Sequence, residues 1–170
     1  MERIAEFIEH LEEAVGVATQ AWIKQLEQIN TTSIKEILQE VYAITHSDSH
    51  VVITYLRSSA ITKSHQFKLA VYPEEPFVDS PIHYTLLDMA SLYKEVSSDI
   101  QTLINKLSPP YFKILPSEKE EIRRHFTIRL YQQSYHFFKR ALKELAPNHQ
   151  PMQIYFGEEM SELIIVGADK

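Results

Sequence analysis

Cysteine is absent from this 170-residue chain, and glycine occurs only at Gly16, Gly157 and Gly167. Without a thiol, the chain cannot contain a disulfide, a thiolate nucleophile or a cysteine-ligated metal site. With so few glycines, it can hold neither a GxxxxGK phosphate-binding loop nor the GxGxxG pattern of dinucleotide-binding domains. The common nucleotide-binding motifs are therefore excluded, and we predict no bound cofactor.

Long apolar runs are also missing from the sequence. No stretch approaches the roughly 18 uncharged apolar residues that a membrane-spanning helix requires. The first residues, Met1-Glu2-Arg3-Ile4, lead directly into an acidic amphipathic pattern and not into a basic, apolar leader. Hydrophobic residues make up 44% and charged residues 24% of the chain, as in ordinary globular domains. We therefore expect a soluble cytoplasmic protein that does not bind membranes.

Several enzyme classes lack their motifs in this sequence. It contains no GxSxG nucleophile elbow, no HExxH zinc motif, no EF-hand loop and no set of protein-kinase motifs. The formal net charge is −6, and the acidic excess lies in residues 1–50, which hold nine acids and three bases. Nucleic-acid affinity comes mostly from cations that neutralise phosphates, so we do not expect broad nucleic-acid binding.

The spacing of apolar residues predicts the fold class. Apolar positions three and four residues apart predict helices over residues 3–28, 33–45, 88–107 and 117–145. Runs of β-branched and aromatic residues predict strands over residues 51–56, 67–72, 82–86, 152–156 and 163–166. The order ααβββααββ predicts an α+β fold with an antiparallel or mixed sheet of about five strands, two hairpins plus a short strand, covered by four helices.

We predict a single domain over residues 1–170. Within it, an acidic helical segment (1–46) precedes the part that holds the sheet, two helices and a C-terminal hairpin (51–170).

The loop after the second predicted helix could hold a metal ion. It contains His46, Asp48 and His50, and imidazole and carboxylate groups are suitable ligands for zinc and other divalent ions. In an extended loop the three side chains would point in the same direction. The spacing is not diagnostic, however, because Ser and Asp residues form loop turns of the same composition without any metal.

Arg57, Ser58 and His65 form a candidate anion site. We expect Arg57 late in the first strand, on the face shared by Ile53 and Tyr55. A guanidinium and nearby hydroxyls can together bind a carboxylate or phosphate, and His65 lies across the predicted hairpin. The alternative is an edge residue that extends to water or pairs with a neighbouring acid.

The helix predicted over 117–145 has an apolar face and a basic face. At about 100° per residue, the apolar arc contains Phe126, Leu130, Ser134, Phe137, Phe138, Ala141 and Leu145. The opposite face contains Arg129, His136, Lys139, Arg140 and Lys143, together with His125. This basic face could be solvated, could contact the acidic first helix within the chain or across a dimer, or could bind an anionic ligand.

Two main functional hypotheses follow from these patterns. We favour a non-catalytic binding module that forms a homo-oligomer, or that binds an acidic protein partner, with Trp22 on the first helix at the contact. The alternative is a small metal-dependent or anion-binding enzyme that uses the His46, Asp48 and His50 loop with Arg57. A third hypothesis is a regulator that binds nucleic acid through the basic face of residues 117–145.

Overall fold

The computed structural model describes residues 2–46, 48–108, 113–145 and 154–166. The helices are α1 (Glu2–Leu26), α2 (Thr32–Ile44), α3 (Arg57–Thr62), α4 (Ala90–Leu107), α5 (Pro116–Gln133) and α6 (Tyr135–Leu145). The strands are β1 (His50–Tyr55), β2 (Gln66–Tyr72), β3 (His83–Asp88), β4 (Ile154–Glu158) and β5 (Leu163–Ile165). The α+β prediction is therefore confirmed. The predicted strand start at Met152 lies outside the described residues.

The five strands form one mixed sheet in the order β3-β2-β1-β4-β5. The neighbours β3 and β2, β2 and β1, and β4 and β5 are antiparallel. The central pair is parallel, with Val51 of β1 beside Ile154 of β4. A parallel pair requires a long crossover connection, which the chain provides through β2, β3 and the helices α4 to α6.

The two faces of the sheet differ in what covers them. One face carries alternate residues of each strand, such as Ile53, Phe67, Leu69 and Phe156, which are at most 1% exposed and pack against the helices. Because successive side chains point to opposite faces, the residues between them lie on the other side of the sheet. In the described part of the chain, that side has only a small buried cluster of Val52, Ala70 and Tyr72, packed against Phe77, Tyr155 and Leu163.

Two predictions about secondary structure are corrected by the structure. Arg57 was predicted to lie late in the first strand, but residues Arg57–Thr62 form the helix α3. The helix predicted over 117–145 is two helices, which meet at Ser134. The amide of Ser134 donates to Tyr131 O at 3.1 Å, so the chain takes one tighter turn there before α6 begins.

Side chains accept backbone amides at two helix starts. For α2, the Asn30 side chain accepts the amide of Thr32 at 2.8 Å. For α5, the Glu118 carboxylate accepts the amide of Leu115, the residue before the helix, at 2.7 Å. Short side chains that accept free amides stabilise a helix start. In the described part of the chain, no helix is both long enough and apolar enough to cross a bilayer.

Candidate interaction surface

The structure places the residues of the predicted anion site in different surroundings. Arg57 lies at the start of α3, and its exposed guanidinium forms an ion pair with Glu158 at the end of β4. Ser58 is exposed on the same short helix, whereas His65 is only 3% exposed. The alternative given in the sequence analysis, an arginine that pairs with a neighbouring acid, therefore describes Arg57. Arg57 was expected late in the first strand, but β1 ends at Tyr55, so Arg57 does not share the face of Ile53 and Tyr55.

His65 instead belongs to a buried polar cluster beneath α3. Its Nδ1 atom lies 2.8 Å from the Tyr131 hydroxyl, and its ring stacks on Tyr93 with centroids 5.6 Å apart. Burial lowers the pKa of His65, and the nearby charge of Arg123 lowers it further. Burial also raises the pKa of Tyr131 to about 12, so both groups are neutral at pH 7.

Arg123 of α5 lies next to this cluster and is 1% exposed. Its guanidinium donates to the Glu120 carboxylate and, at 2.8 Å, to the carbonyl of Ala60 in α3. A hydrogen bond from Arg123 lowers the pKa of Glu120. A buried guanidinium requires such partners, because an unpaired charge in the interior is costly. The cluster therefore joins α3 to α5.

The predicted metal ligands do not form a cluster. Among the residues that the structure describes, no group of three or more His, Asp or Glu side chains could hold a metal ion. His46 and Asp48 are exposed, and the His50 ring packs near Tyr155 with centroids 5.6 Å apart. His50 begins β1, so its direction is set by the sheet and not by the loop.

The basic face predicted on the late helix is present on α5 and α6. All seven residues of the predicted apolar arc are buried, whereas Arg129, His136 and Lys143 are exposed. Arg129 forms an ion pair with Glu12 of α1, and Arg140 donates to the carbonyl of Ile29. Lys139 is half-buried, with its ammonium 5.8 Å from the centre of the Tyr135 ring. The acidic first helix is thus a partner of this face within the same chain.

Trp22 is buried in the interior of the fold. It is 3% exposed, and its indole N–H donates to the carbonyl of Leu92 at 3.3 Å. Beside it, a groove between α1 and α4 has a volume of about 120 Å³. Pockets that hold small ligands are usually larger, roughly 300 to 1,000 Å³. The groove is mostly apolar, with Asp99 as its one acidic lining residue.

The uncovered side of the sheet carries exposed apolar side chains at β3. Tyr84 is 63% exposed and Leu86 is 50% exposed, and Ile82, immediately before the strand, is 53% exposed. We call these three residues the β3 surface. Val78, in the connection from β2 to β3, is a further exposed apolar residue at 72%. Contiguous apolar surface of this kind commonly marks a protein–protein contact.

An ion pair lies over the centre of the same side of the sheet. The Lys68 ammonium is 2.8 Å from the Glu159 carboxylate, and it also lies 6.0 Å from the centre of the Tyr84 ring. Thr54 lies between Lys68 and Gly157 in the sheet register, and it is 2% exposed. The side chains of Lys68 and Glu159 are 25% and 35% exposed, so this ion pair is partly buried, and Tyr84 of β3 lies beside it.

The sequence analysis did not identify the β3 surface, although a signal was present. Half-exposed strands usually alternate apolar and polar residues. In β3, however, Tyr84 and Leu86 alternate with Thr85 and Leu87, so both faces contain apolar side chains. An apolar residue on the uncovered face of an edge strand indicates such a surface.

Comparison with other proteins adds no assignment. No family model matches the chain, and no match was found among curated proteins or among solved structures. The described residues form an α+β protein with a mixed five-stranded sheet. Helices pack against one face of the sheet, and the β3 surface lies on the other face, at the sheet edge.

Proposed function

We propose that this protein is a non-catalytic interaction module that self-associates through the β3 surface. The observation that carries the proposal is the exposure of Ile82, Tyr84 and Leu86 beside the sheet edge. Aromatic and large aliphatic side chains are the groups that most often anchor protein contacts. A cytoplasmic location is part of the same proposal and rests on the composition of the sequence, which contains no long apolar run.

The positions of the other candidate residues support an interaction role over an enzymatic one. The buried side chains of His65, Tyr131 and Arg123 form hydrogen bonds within the chain. Arg57 and Arg129 pair with Glu158 and Glu12 of the same chain. The proposed contact therefore uses apolar surface and not the basic face of α5 and α6.

Light scattering coupled to size-exclusion chromatography tests this proposal. The monomer mass is 19.8 kDa, so a dimer would have twice that mass. We expect the dimer for the unmodified chain and the monomer for Leu86→Lys, because a buried lysine opposite an apolar partner is unfavourable. The matched control is Val17→Lys, which places the same charge on an exposed valine of α1 and should leave the dimer intact.

Two outcomes would contradict the proposal. A monomer mass for the unmodified chain at every concentration would exclude self-association. A dimer that survives Leu86→Lys but dissociates with Val17→Lys would place the contact on α1 instead. Circular dichroism of both variants confirms that each substitution leaves the fold intact.

A further inference from the structure

The edge of the sheet at β3 is open for pairing in the described part of the chain. β3 is the outermost strand and has β2 as its one sheet neighbour. All six residues pair with β2 in one continuous register, from Gln66 with Asp88 to Val71 with His83, so there is no bulge within the strand; directly before it, the amide of Ile82 donates to Val71 O at 2.8 Å. Natural proteins usually protect an edge strand with proline, lysine, a bulge or very short length. β3 has none of these features, whereas the opposite edge strand, β5, has three residues.

The backbone groups that face outward from β3 can be assigned from the hydrogen-bond ladder. The amide of Met89 donates to His65 O at 3.0 Å, which continues the register that pairs Asp88 with Gln66. In an antiparallel ladder, hydrogen-bonded residues alternate with residues whose amide and carbonyl point away from the partner. The odd-numbered residues of β3 therefore bond to β2, and Tyr84, Leu86 and Asp88 present their amides and carbonyls to the outside.

Resting on the self-association proposed above, we infer that two copies of the chain pair β3 with β3 in an antiparallel, two-fold arrangement centred on Leu86. In this register Leu86 lies opposite the Leu86 of the second copy. Tyr84 lies opposite Asp88 of that copy, and the reverse pair follows from the symmetry. The two sheets then form one continuous sheet.

Three physical arguments favour this register and a second copy as the occupant. The register uses the outward backbone groups of Tyr84, Leu86 and Asp88 on both chains, whereas a shift in either direction leaves some of them unpaired. Opposed residues must lie on the same face of the joined sheet, and in this register Leu86 meets Leu86 on the uncovered face. The antiparallel arrangement also separates the two Asp88 carboxylates, which a parallel pairing of like strands would place side by side.

The absence of cysteine allows a direct test by disulfide cross-linking. Directly opposed residues in a hydrogen-bonded antiparallel pair have Cα atoms about 5.5 Å apart, within the range that a disulfide spans. Under mild oxidation, Leu86→Cys should cross-link to itself, and an equimolar mixture of Tyr84→Cys and Asp88→Cys should form the mixed dimer. Tyr84→Cys alone should not, because its two copies would lie about 13 Å apart along the strand.

A proline substitution tests the pairing without a cross-link. The amide of Leu86 points away from β2, so Leu86→Pro keeps the ladder to β2 but removes an intermolecular donor. We expect Leu86→Pro to lose the dimer and the conservative control Leu86→Val to retain it.

The outcomes separate this inference from the proposed function. If the unmodified chain is a monomer at every concentration, both are wrong. If the chain is a dimer but neither Leu86→Cys nor the Tyr84→Cys and Asp88→Cys mixture cross-links, self-association stands and the β3 pairing is wrong. Preferential cross-linking of Tyr84→Cys with Leu86→Cys would overturn the register, and a dimer that survives Leu86→Pro would overturn the backbone pairing.

Discussion

The Nδ1 atom of His65 lies 2.8 Å from the hydroxyl oxygen of Tyr131, and both side chains are buried. This contact joins the residue before β2 to the last turn of α5. His65 also has a positive φ of 50°, a backbone conformation that few residue types adopt without strain. The histidine is therefore held by its hydrogen bond and by its stacking on Tyr93, and its protonation state affects the packing between sheet and helices.

We predict that His65 makes the protein less stable as the pH falls from 7 toward 5.5. The folded pKa of His65 is below its usual value of 6.5, because burial disfavours the charged ring. Below that usual value the unfolded chain binds a proton that the folded chain does not, so the free energy of unfolding decreases. His65→Asn should flatten the pH dependence of the melting temperature, since asparagine tolerates a positive φ and has no proton to gain.

The matched control for this prediction is His46→Asn. His46 is exposed, so its substitution should leave the pH profile of the melting temperature unchanged. A profile that stays the same in His65→Asn would show that another group causes the acid sensitivity.

We expect Arg123→Leu to lower the free energy of unfolding by about 3 kcal/mol, because it leaves the partners of a buried guanidinium unpaired. Those partners are the Glu120 carboxylate and the carbonyl of Ala60. The control is Arg129→Leu, which breaks the exposed ion pair with Glu12 and should cost no more than about 1 kcal/mol. Urea unfolding at pH 7 measures both values, and equal losses would contradict a structural role for Arg123.

Two glycine substitutions should have opposite effects on stability. A Cβ atom on Gly157 would lie 2.6 Å from Glu162 O across the β4–β5 turn, whereas a Cβ on Gly16 would meet nothing within 4 Å. Gly157→Ala should therefore cost about 1 to 3 kcal/mol through the clash. Gly16→Ala should stabilise α1 by about 0.5 to 1 kcal/mol, because alanine restricts the unfolded chain and favours the helix. Thermal unfolding of the two variants checks the signs, and a shift in the same direction for both would contradict this account.

Trp22 should report on burial within the chain. It is the single tryptophan, and it is 3% exposed with its indole bonded to Leu92 O. We expect a blue-shifted emission that acrylamide quenches weakly, at both high and low protein concentration. Stronger quenching on dilution would mean that Trp22 is covered by a second copy and not by α4.

Local patterns predicted most of the elements, because their signals are short-range. The amphipathic stripe of α1 and the β-branched and aromatic runs of β1 and β2 each lie within one segment and match the structure closely. The short helix α3 was missed because its six residues have no strong helical pattern. What holds it is distant in sequence: Ala60 is fully buried, and Arg123 of α5 donates to its carbonyl.

The candidate site was harder to predict for the same reason. Whether Arg57 and His65 lie close together depends on where β1 ends. The strand ends two residues before Arg57, so Arg57 lies in a helix and not in the sheet. The pairing of β1 with β4 is also invisible to local patterns, because nothing in either strand encodes its partner. The β3 surface, by contrast, could be found from local sequence once β3 was known to be an edge strand, because both faces of the strand contain apolar side chains.

The parallel pair of β1 and β4 has a consequence for the order of folding. Val51 and Ile154 are neighbours in the sheet, although most of the chain lies between them in sequence. During synthesis, β1, β2 and β3 can form a meander early, but the other side of β1 stays unpaired until β4 leaves the ribosome. Val51 and Ile53, both fully buried in the finished protein, lie on that strand. The nascent chain therefore has two open sheet edges, one at β1 and one at β3. In the described fold β4 covers the edge at β1, whereas the edge at β3 stays open.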